Sequence, residues 1–204
     1  MTLDELSAVD RELRTGRRDF EGAWLHARGL MDALGFPVDS PGMAGTARRL
    51  VQALDELTSG MHEDPGRHLL VTFPPEAEKQ GMIAVTDIPF ISVCEHHLLP
   101  FTGTADVAYV PAPGAPVVGL SKLARLVQGY AARPQLQERL GEQIVSAIAD
   151  RLETSGAACR LRAEHACLTL RGARAAGARM VTIHVKGVFE TDAEARAEFV
   201  ELSS

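Results

Sequence analysis

The stretch FTGTADVAYV, residues 101–110, decides the fold class that this sequence predicts. Its large apolar residues Val107 and Tyr109 alternate with polar or small residues such as Asp106. A period of two is typical of an antiparallel strand that buries one face and leaves the other partly exposed. A similar run over 82–88 precedes it, so the middle of the chain is predicted to form a sheet.

Helical patterns lie on both sides of these strands. Apolar residues recur at helical spacing in four segments: 20–34, 44–57, 121–130 and 134–155. Two further strands and a closing helix are expected at 158–171, 179–190 and 192–202. An order of helices, strands, helices and strands predicts an α+β domain with an antiparallel sheet.

The chain has 204 residues, of which 46% are hydrophobic and 24% charged, an ordinary globular composition. A chain of this length can bury a core without disulfides or a structural metal. We expect an N-terminal tail and helical region over residues 1–60, because the first 19 residues are charged and contain few large apolar groups. Residues 61–204 are expected to form the main domain.

Charge and composition exclude several classes of protein. The formal net charge is -6 and aromatic residues make up 5%, which argues against a nucleic-acid-binding surface. No apolar run approaches the roughly 20 residues that span a bilayer, and the acidic N-terminus does not resemble a signal peptide. Three cysteines cannot all pair, which favours a reducing compartment. We therefore expect a cytoplasmic protein with neither a nucleic-acid nor a membrane partner.

The densest group of metal-binding side chains is the sequence CEHH at residues 94–97. Cysteine sulfur and histidine nitrogen are preferred zinc ligands, and one turn could direct both Cys94 and His97 at one ion. The candidates for a further ligand are Cys159, His165 and Cys167. His165 and Cys167 fall on one predicted strand and would share a face. The alternative is a loop with a buried cysteine and solvated histidines.

Two other groups suggest contacts to a nucleotide. Ser121, Lys122 and Arg125 lie where a loop enters a predicted helix, and a helix N-terminus with added cations suits a phosphate group. The adjacent Gln137 and Glu138 could accept hydrogen bonds from the N1–H and 2-amino group of guanine. Each group could equally be an ordinary solvated helix face.

Taken together, these motifs resemble those of the GTP cyclohydrolase I family. The matching segments keep the family's order over roughly residues 25–200 and comprise SVCEHH at 92–97, PFTG at 100–103, GLSKLAR at 119–125, RPQLQERL at 133–140, HAC at 165–167 and RG at 171–172. The resemblance implies a tunnelling fold, in which antiparallel strands and helix pairs assemble into a barrel. It also implies a toroidal homo-oligomer, a decamer in the family, with active sites at subunit interfaces.

The resemblance further implies the conversion of GTP and water to 7,8-dihydroneopterin triphosphate and formate, a step of pterin and tetrahydrofolate biosynthesis. By position, Cys94, His97 and Cys167 would hold Zn²⁺. His96 and His165 would transfer protons during opening of the imidazole ring.

The substrate contacts implied by the resemblance involve two parts of GTP. Glu138, with Gln137, would recognise the guanine. The triphosphate would be surrounded by five residues, namely Ser121, Lys122, Arg125, Arg171 and Arg49. The match at Arg49 is the weakest of them, because Ala47 replaces the family's proline in the preceding motif.

The sequence also departs from the family pattern. The family's Ser- and Thr-rich run corresponds here to residues 173–187, where only Thr182 keeps the hydroxyl character. Thr86 replaces a usual basic residue, and Gly141 stands where Thr or Ser is common. These departures leave room for a pathway-specific paralogue that only opens the imidazole ring of GTP or acts on a related purine. A separate alternative is a non-catalytic zinc-stabilised binding subunit, in which a fourth ligand such as Cys159 would close the site. The sequence does not establish allosteric control.

Overall fold

The structure is a computed structural model that describes residues 18–203, so the predicted tail before residue 18 lies outside the described residues. The chain divides into two compact units, Met1–Glu56 and Leu57–Ser204. The proposed division into residues 1–60 and 61–204 stays a prediction about domains.

The first unit is a helical hairpin formed by α1 (Phe20–Ala33) and α2 (Thr46–Leu57), of which α2 ends one residue into the second unit. Asp19 caps α1 by accepting a hydrogen bond from the backbone N–H of Gly22 at 2.8 Å. A small core holds the two helices together and contains Met31, Val38 and Ala47, with Trp24, Ala27 and Met43 packed against it.

The second unit contains seven strands. They are β1 (Thr72–Phe73), β2 (Ile83–Cys94), β3 (Pro100–Pro111), β4 (Val117–Val118), β5 (Pro134–Gln135), β6 (Thr154–His165) and β7 (Met180–Gly187). Five form one sheet in the order β5-β2-β3-β6-β7, antiparallel except for the parallel β5–β2 pair. The other two pair antiparallel as a small ribbon, β1 with β4.

The helices of this unit are α3 (Leu120–Ala131), α4 (Gln137–Arg151), the single turns α5 (Ala166–Thr169) and α6 (Val188–Thr191), and α7 (Ala193–Leu202). Two 3₁₀ helices, Ser59–His62 and Pro65–Leu70, precede the sheet. On one face of the sheet, α3 packs on β2, and α4 packs on β6 and β7. This confirms the predicted α+β class, with an antiparallel sheet and a helix pair as in the tunnelling fold.

The alternation predicted for residues 101–110 is confirmed on one face of β3, where Val107 and Tyr109 are fully buried against the helices. The expected exposure of the other face is wrong over part of its length, because Asp106 and Ala108 are also fully buried. Phe189 and Phe199, from the C-terminal helices, cover Ala108. This half of the sheet therefore has packing on both sides.

Before the sheet, Leu69 lies in the 3₁₀ helix Pro65–Leu70, in which Asp64 caps the N-terminus by accepting from the backbone N–H of Gly66. Two local predictions are also wrong. Pro134 does not start a helix but lies in β5, where it pairs with Val93. The strand expected over 158–171 stops at His165, where the chain turns into α5.

None of the helices within residues 18–203 is both long enough and apolar enough to cross a bilayer.

Candidate metal centre and its surroundings

The CEHH sequence forms a tight turn between β2 and β3. Cys94 is the last residue of β2, its N–H donates to Leu99, and its carbonyl accepts from Leu98 at 2.8 Å. Leu98 adopts a positive φ of 53°, which closes the turn. The result is that Cys94 is buried while His96 and His97 are exposed at the sheet end.

A bidentate ion pair joins this turn to α4. Arg139 donates from Nη1 and Nη2 to the two carboxylate oxygens of Glu95, at 2.6 and 2.9 Å. The hydrogen bond from Arg139 lowers the pKa of Glu95. The backbone N–H of Glu95 also donates to the carbonyl of Gln135 in β5 at 3.1 Å. The CEHH turn is therefore held in place through a side chain and through the main chain.

Cys94, His97 and Cys167 form a group of candidate ligands, called the metal group below. Their ligand atoms all lie within 4.8 Å of one another. Sγ of Cys94 lies 3.9 Å from Nδ1 of His97. Cys167 reaches the group from the helical turn α5, so it does not share a strand face with His165 as the sequence suggested. Burial, and then the neighbouring Cys94 thiol, raise the pKa of Cys167.

The donor set of this group fits zinc. Two sulfurs and one imidazole nitrogen are ligands that Zn²⁺ prefers, and atoms about 2.0–2.3 Å from one ion lie within about 4 Å of each other. Three protein ligands leave a fourth position, which is the arrangement of catalytic rather than structural sites. Cys159 does not belong to the group, because it is fully buried in the core and burial raises its pKa strongly. It lies six residues along β6 from His165, about 20 Å.

His165 ends β6 directly beside the metal group. The pairing of β3 with β6 places Phe101 opposite His165, and the two rings stack with centroids 4.4 Å apart and planes 4° apart. Nε2 of His165 lies 2.9 Å from Oε1 of Gln137. Burial lowers the pKa of His165, and the negative charge of Glu138 opposes this shift. His165 is thus a neutral, oriented imidazole near neutral pH.

The other histidine predicted to transfer protons, His96, is exposed in the turn. Its ring centroid lies 6.2 Å from that of His97, with the planes nearly perpendicular at 89°. Arg171, which follows α5, brings its Nη1 to 2.9 Å from Nε2 of His97. A guanidinium group therefore stands next to the metal group, where a bound anion would meet it.

Gln137 and Glu138, adjacent in sequence, point to different surroundings at the start of α4. Glu138 is exposed, and its charge acts on His165. Gln137 is only 1% exposed and donates from Nε2 to the carbonyls of Leu161 and Met180, both at 3.2 Å. A guanine contact from the Gln137 side chain would require these bonds to break.

Apart from Arg171, the residues expected to contact phosphates show no contact with the group of Cys94, His97 and Cys167 in the part of the chain that the structure describes. Ser121, Lys122 and Arg125 lie in the first two turns of α3, whose N-terminal Gly119 donates to the carbonyl of Val71 at 3.2 Å. Within residues 18–203, no hydrogen bond or ion pair joins these three side chains to Cys94, His97 or Cys167. The C-terminal end of α3 leads into β5, beside Cys94.

Because α3 rises 1.5 Å per residue, its first turn lies roughly 15 Å from the metal end of the sheet. Arg49 belongs to the first unit, where its Nη2 donates to the hydroxyl of Thr46 at 2.9 Å.

Some residues of this region were not singled out by the sequence. One of them is His68. Burial lowers its pKa most, and the positive charges of Arg67, Arg125 and Lys122 lower it further. Arg139 sits within the RPQLQERL motif but gives no signal of its pairing with Glu95, 44 residues away. Only the strand pairing reveals the stacking of Phe101 on His165. These contacts are long-range, and no local spacing encodes them.

Comparison with known proteins agrees with this geometry. The sequence profile of GTP cyclohydrolase I matches residues 25–204. The chain is 44% identical over 184 residues to GTP cyclohydrolase 1 of Carboxydothermus hydrogenoformans, covering 90% of this chain and 94% of that protein. It is 46% identical over 173 residues to GTP cyclohydrolase 1 of Geobacillus kaustophilus, covering 85% and 90%.

Two solved structures resemble about half of the chain. One is the archaeosine synthase QueF-Like in the apo form, with a TM-score of 0.43 and 16% identity over 53% of this chain and 95% of that one. The other is dihydroneopterin aldolase of E. coli in complex with neopterin, with a TM-score of 0.41 and 16% identity over 53% and 100%. The profile match and the relatives, which span most of the sequence, show that this chain belongs to the GTP cyclohydrolase I family.

Proposed function

We propose that this chain converts GTP and water into 7,8-dihydroneopterin triphosphate and formate. The chain is a hydrolase that acts on GTP, as its family membership and its close relatives indicate. The observation that carries the proposal is the convergence of Cys94, His97 and Cys167 from two distant segments onto one point. That group stands beside an oriented histidine and an arginine, as a hydrolysis on an anionic substrate requires.

Cys94, His97 and Cys167 would hold Zn²⁺. Bound there, the ion would supply Lewis-acid chemistry that makes water nucleophilic near neutral pH. The alternative of a closed structural site with Cys159 as fourth ligand is disfavoured, because that thiol lies about 20 Å along β6 from the site.

His165 and His96 would move the protons. Ring opening requires a proton at N7 of the purine, which makes C8 more electrophilic, and release of formate requires further transfers. Burial lowers the pKa of His165 and so favours the neutral ring, which is the form that can act as a base. His96 is exposed to solvent beside His97.

Glu138 would recognise the guanine. Its exposed carboxylate can accept from the N1–H and 2-amino group, a pair of donors that adenine does not offer. It lies in the first turn of α4, where the N-terminal end of the helix dipole favours negative charge.

Ser121, Lys122, Arg125, Arg171 and Arg49 would surround the triphosphate. Arg171 stands at the metal group, whereas Ser121 and Lys122 lie roughly 15 Å away at the far end of α3. A nucleotide whose base is held at Glu138 would therefore meet the α3 segment most readily on another subunit. This separation supports a homo-oligomer with shared sites, a decamer by analogy with the family. The proposal also includes a cytoplasmic location and a catalytic domain over residues 61–204.

Substitution of Glu138 tests the substrate assignment. Glu138→Gln should lower kcat/KM for GTP by about 10-fold or more, because one acceptor becomes a donor facing a donor. Zinc content should stay the same, and ATP should be rejected by the wild type. The readout is formate released from GTP and from ATP. Unchanged GTP turnover in Glu138→Gln would remove the proposed guanine contact.

A further inference from the structure

The side-chain amide of Gln137 has only one orientation compatible with its surroundings. Its Nε2 lies 3.2 Å from the carbonyl oxygens of Leu161 and Met180, on β6 and β7. Carbonyl oxygens only accept hydrogen bonds, so the atom facing them must be the amide nitrogen. A flipped amide would place oxygen against two oxygens in a position that is 1% exposed. Two strands of the sheet therefore fix where the Gln137 oxygen points.

That oxygen determines which nitrogen of His165 carries a proton. Oε1 of Gln137 lies 2.9 Å from Nε2 of His165, and an amide oxygen is only an acceptor. Nε2 must donate, so the neutral ring has its single proton there. Nδ1 is left with a free lone pair, and among residues 18–203 none hydrogen-bonds to it.

Two more contacts keep this arrangement rigid. Phe101 stacks on the His165 ring with planes only 4° apart, so the ring cannot tilt away from Gln137. The hydroxyl of Thr182 lies 3.3 Å from Nε2 of Gln137 and accepts from the same amide group. Thr182 is the one hydroxyl retained in the altered segment 173–187, and its contact with Gln137 gives a physical reason for that retention.

We propose that Gln137 is a positioning residue, not a guanine contact, and that it holds the His165 ring in one orientation and in the Nε2–H tautomer. This arrangement leaves Nδ1 as the ring nitrogen available to the substrate. This inference rests on the proposed role of His165 in proton transfer.

The tautomer can be observed directly, without any substitution. Solid-state NMR of the full-length, zinc-loaded protein with ring-¹⁵N-labelled histidine separates protonated from unprotonated nitrogens, and correlation to Cδ2 identifies Nε2. The His165 signal is assigned by its loss in His165→Asn. At mildly alkaline pH we expect the proton on Nε2. A proton on Nδ1 in the wild type would overturn the proposal.

Two variants separate positioning from mere packing. Gln137→Met keeps the length of the side chain but removes the acceptor, so the proton should spread over both nitrogens and kcat should fall by on the order of 10²-fold with little change in KM. A Gln137→Met protein that keeps a pure Nε2–H signal would overturn the proposal.

Gln135 provides the matched control. It is also 1% exposed, and its Nε2 donates to the carbonyl of Tyr130 and to Gln143, but it does not touch His165. Gln135→Met therefore removes an equally buried amide and should leave the His165 tautomer unchanged; loss of the tautomer there would assign the effect to packing. If the wild type released no formate from GTP, the proposed function would be wrong. The tautomer measurement would still test the role of Gln137.

Discussion

The thiols of Cys159 in β6 and Cys167 in α5 have different surroundings. Cys167 lies in the metal group, whereas Cys159 lies in the core between the sheet and the helices. We expect about one Zn²⁺ per chain in the wild type and in Cys159→Ala, and almost none in Cys167→Ser, because removal of one of three ligands leaves too few donors. Metal analysis after dialysis measures this. Zinc retained in Cys167→Ser but lost in Cys159→Ala would make the ligand assignment wrong.

Single residues also differ in how well their roles can be predicted from the sequence. Cys94, His97 and Cys167 are recognisable because few other roles require such residues in one motif. Gln137 and Glu138 look equivalent in the sequence, but successive helix positions differ by about 100° around the axis. One side chain therefore enters the sheet and the other faces the solvent. The partners that decide this, Leu161 and Met180, lie on strands far away in the sequence.

At the scale of elements, α4 and β7 approach closely at Gly141. A Cβ built on Gly141 would lie 2.2 Å from Cδ2 of His184, so this chain combines a glycine on the helix with a histidine on the strand. The departure from the family's Thr or Ser at Gly141 is explained by this contact. The imidazole fills the space that a hydroxyl-bearing side chain would otherwise occupy.

This contact predicts that the effect of Gly141→Ala on the free energy of unfolding changes sign when His184 is replaced. Gly141→Ala should destabilise the wild type, because overpacking costs about 1–3 kcal/mol and exceeds the helix-propensity gain of about 1 kcal/mol. In a His184→Ala background the same substitution should stabilise the protein, because the clash is gone and the propensity gain remains. Urea unfolding of the four proteins gives both values. Equal effects in the two backgrounds would exclude the clash.

A second link between these elements depends on pH. Burial alone would raise the pKa of Glu142, but hydrogen bonds from Lys186 of β7 and from Ser146 outweigh it, so the pKa is lowered. A carboxyl group with a depressed folded-state pKa stabilises the fold above its unfolded-state pKa of about 4.3. That contribution is lost as the pH falls through the folded-state value.

We therefore expect Glu142→Gln to lower the Tm at neutral pH. The gap to the wild type should narrow as the pH falls below the unfolded-state pKa and close once it has fallen through the folded-state value. Glu76→Gln is the matched control, because Glu76 is exposed and its side chain makes no hydrogen bond or ion pair with the residues that the structure describes. Thermal unfolding followed by circular dichroism at several pH values measures both. A gap that widens in acid would contradict the assigned ion pair.

Helices and strands were predicted well where local periodicity determines them. They were predicted poorly where pairing within the sheet determines the backbone conformation. The long strand β3 and the helices α3 and α7 follow from periodicity. Pro134 looked like the first residue of a helix because proline suits that position. Its pairing with Val93 next to the metal turn overrides this preference, and no spacing in the sequence reports that β2 lies nearby.

At the scale of the whole molecule, the distance of roughly 15 Å between the start of α3 and the metal group predicts shared active sites. Cys167→Ser lacks the metal, and a Lys122→Ala, Arg125→Ala double variant lacks the phosphate contacts. Either protein alone should be inactive. Co-expressed in equal amounts, they should regain about a quarter of wild-type activity, because random pairing joins one intact metal group to one intact α3 segment at about that fraction of interfaces. No recovery in co-purified mixed oligomers would place both halves of the site on one chain.

The identity of the product tests the central claim most directly. Zinc-loaded wild-type protein is incubated with GTP, and the products are identified by mass, with Cys167→Ser as the control. We predict one formate and one 7,8-dihydroneopterin triphosphate for each GTP consumed, and no turnover in the control. Formation of only a ring-opened purine, or consumption of GTP by both proteins alike, would contradict the proposed reaction at the Cys94, His97 and Cys167 site.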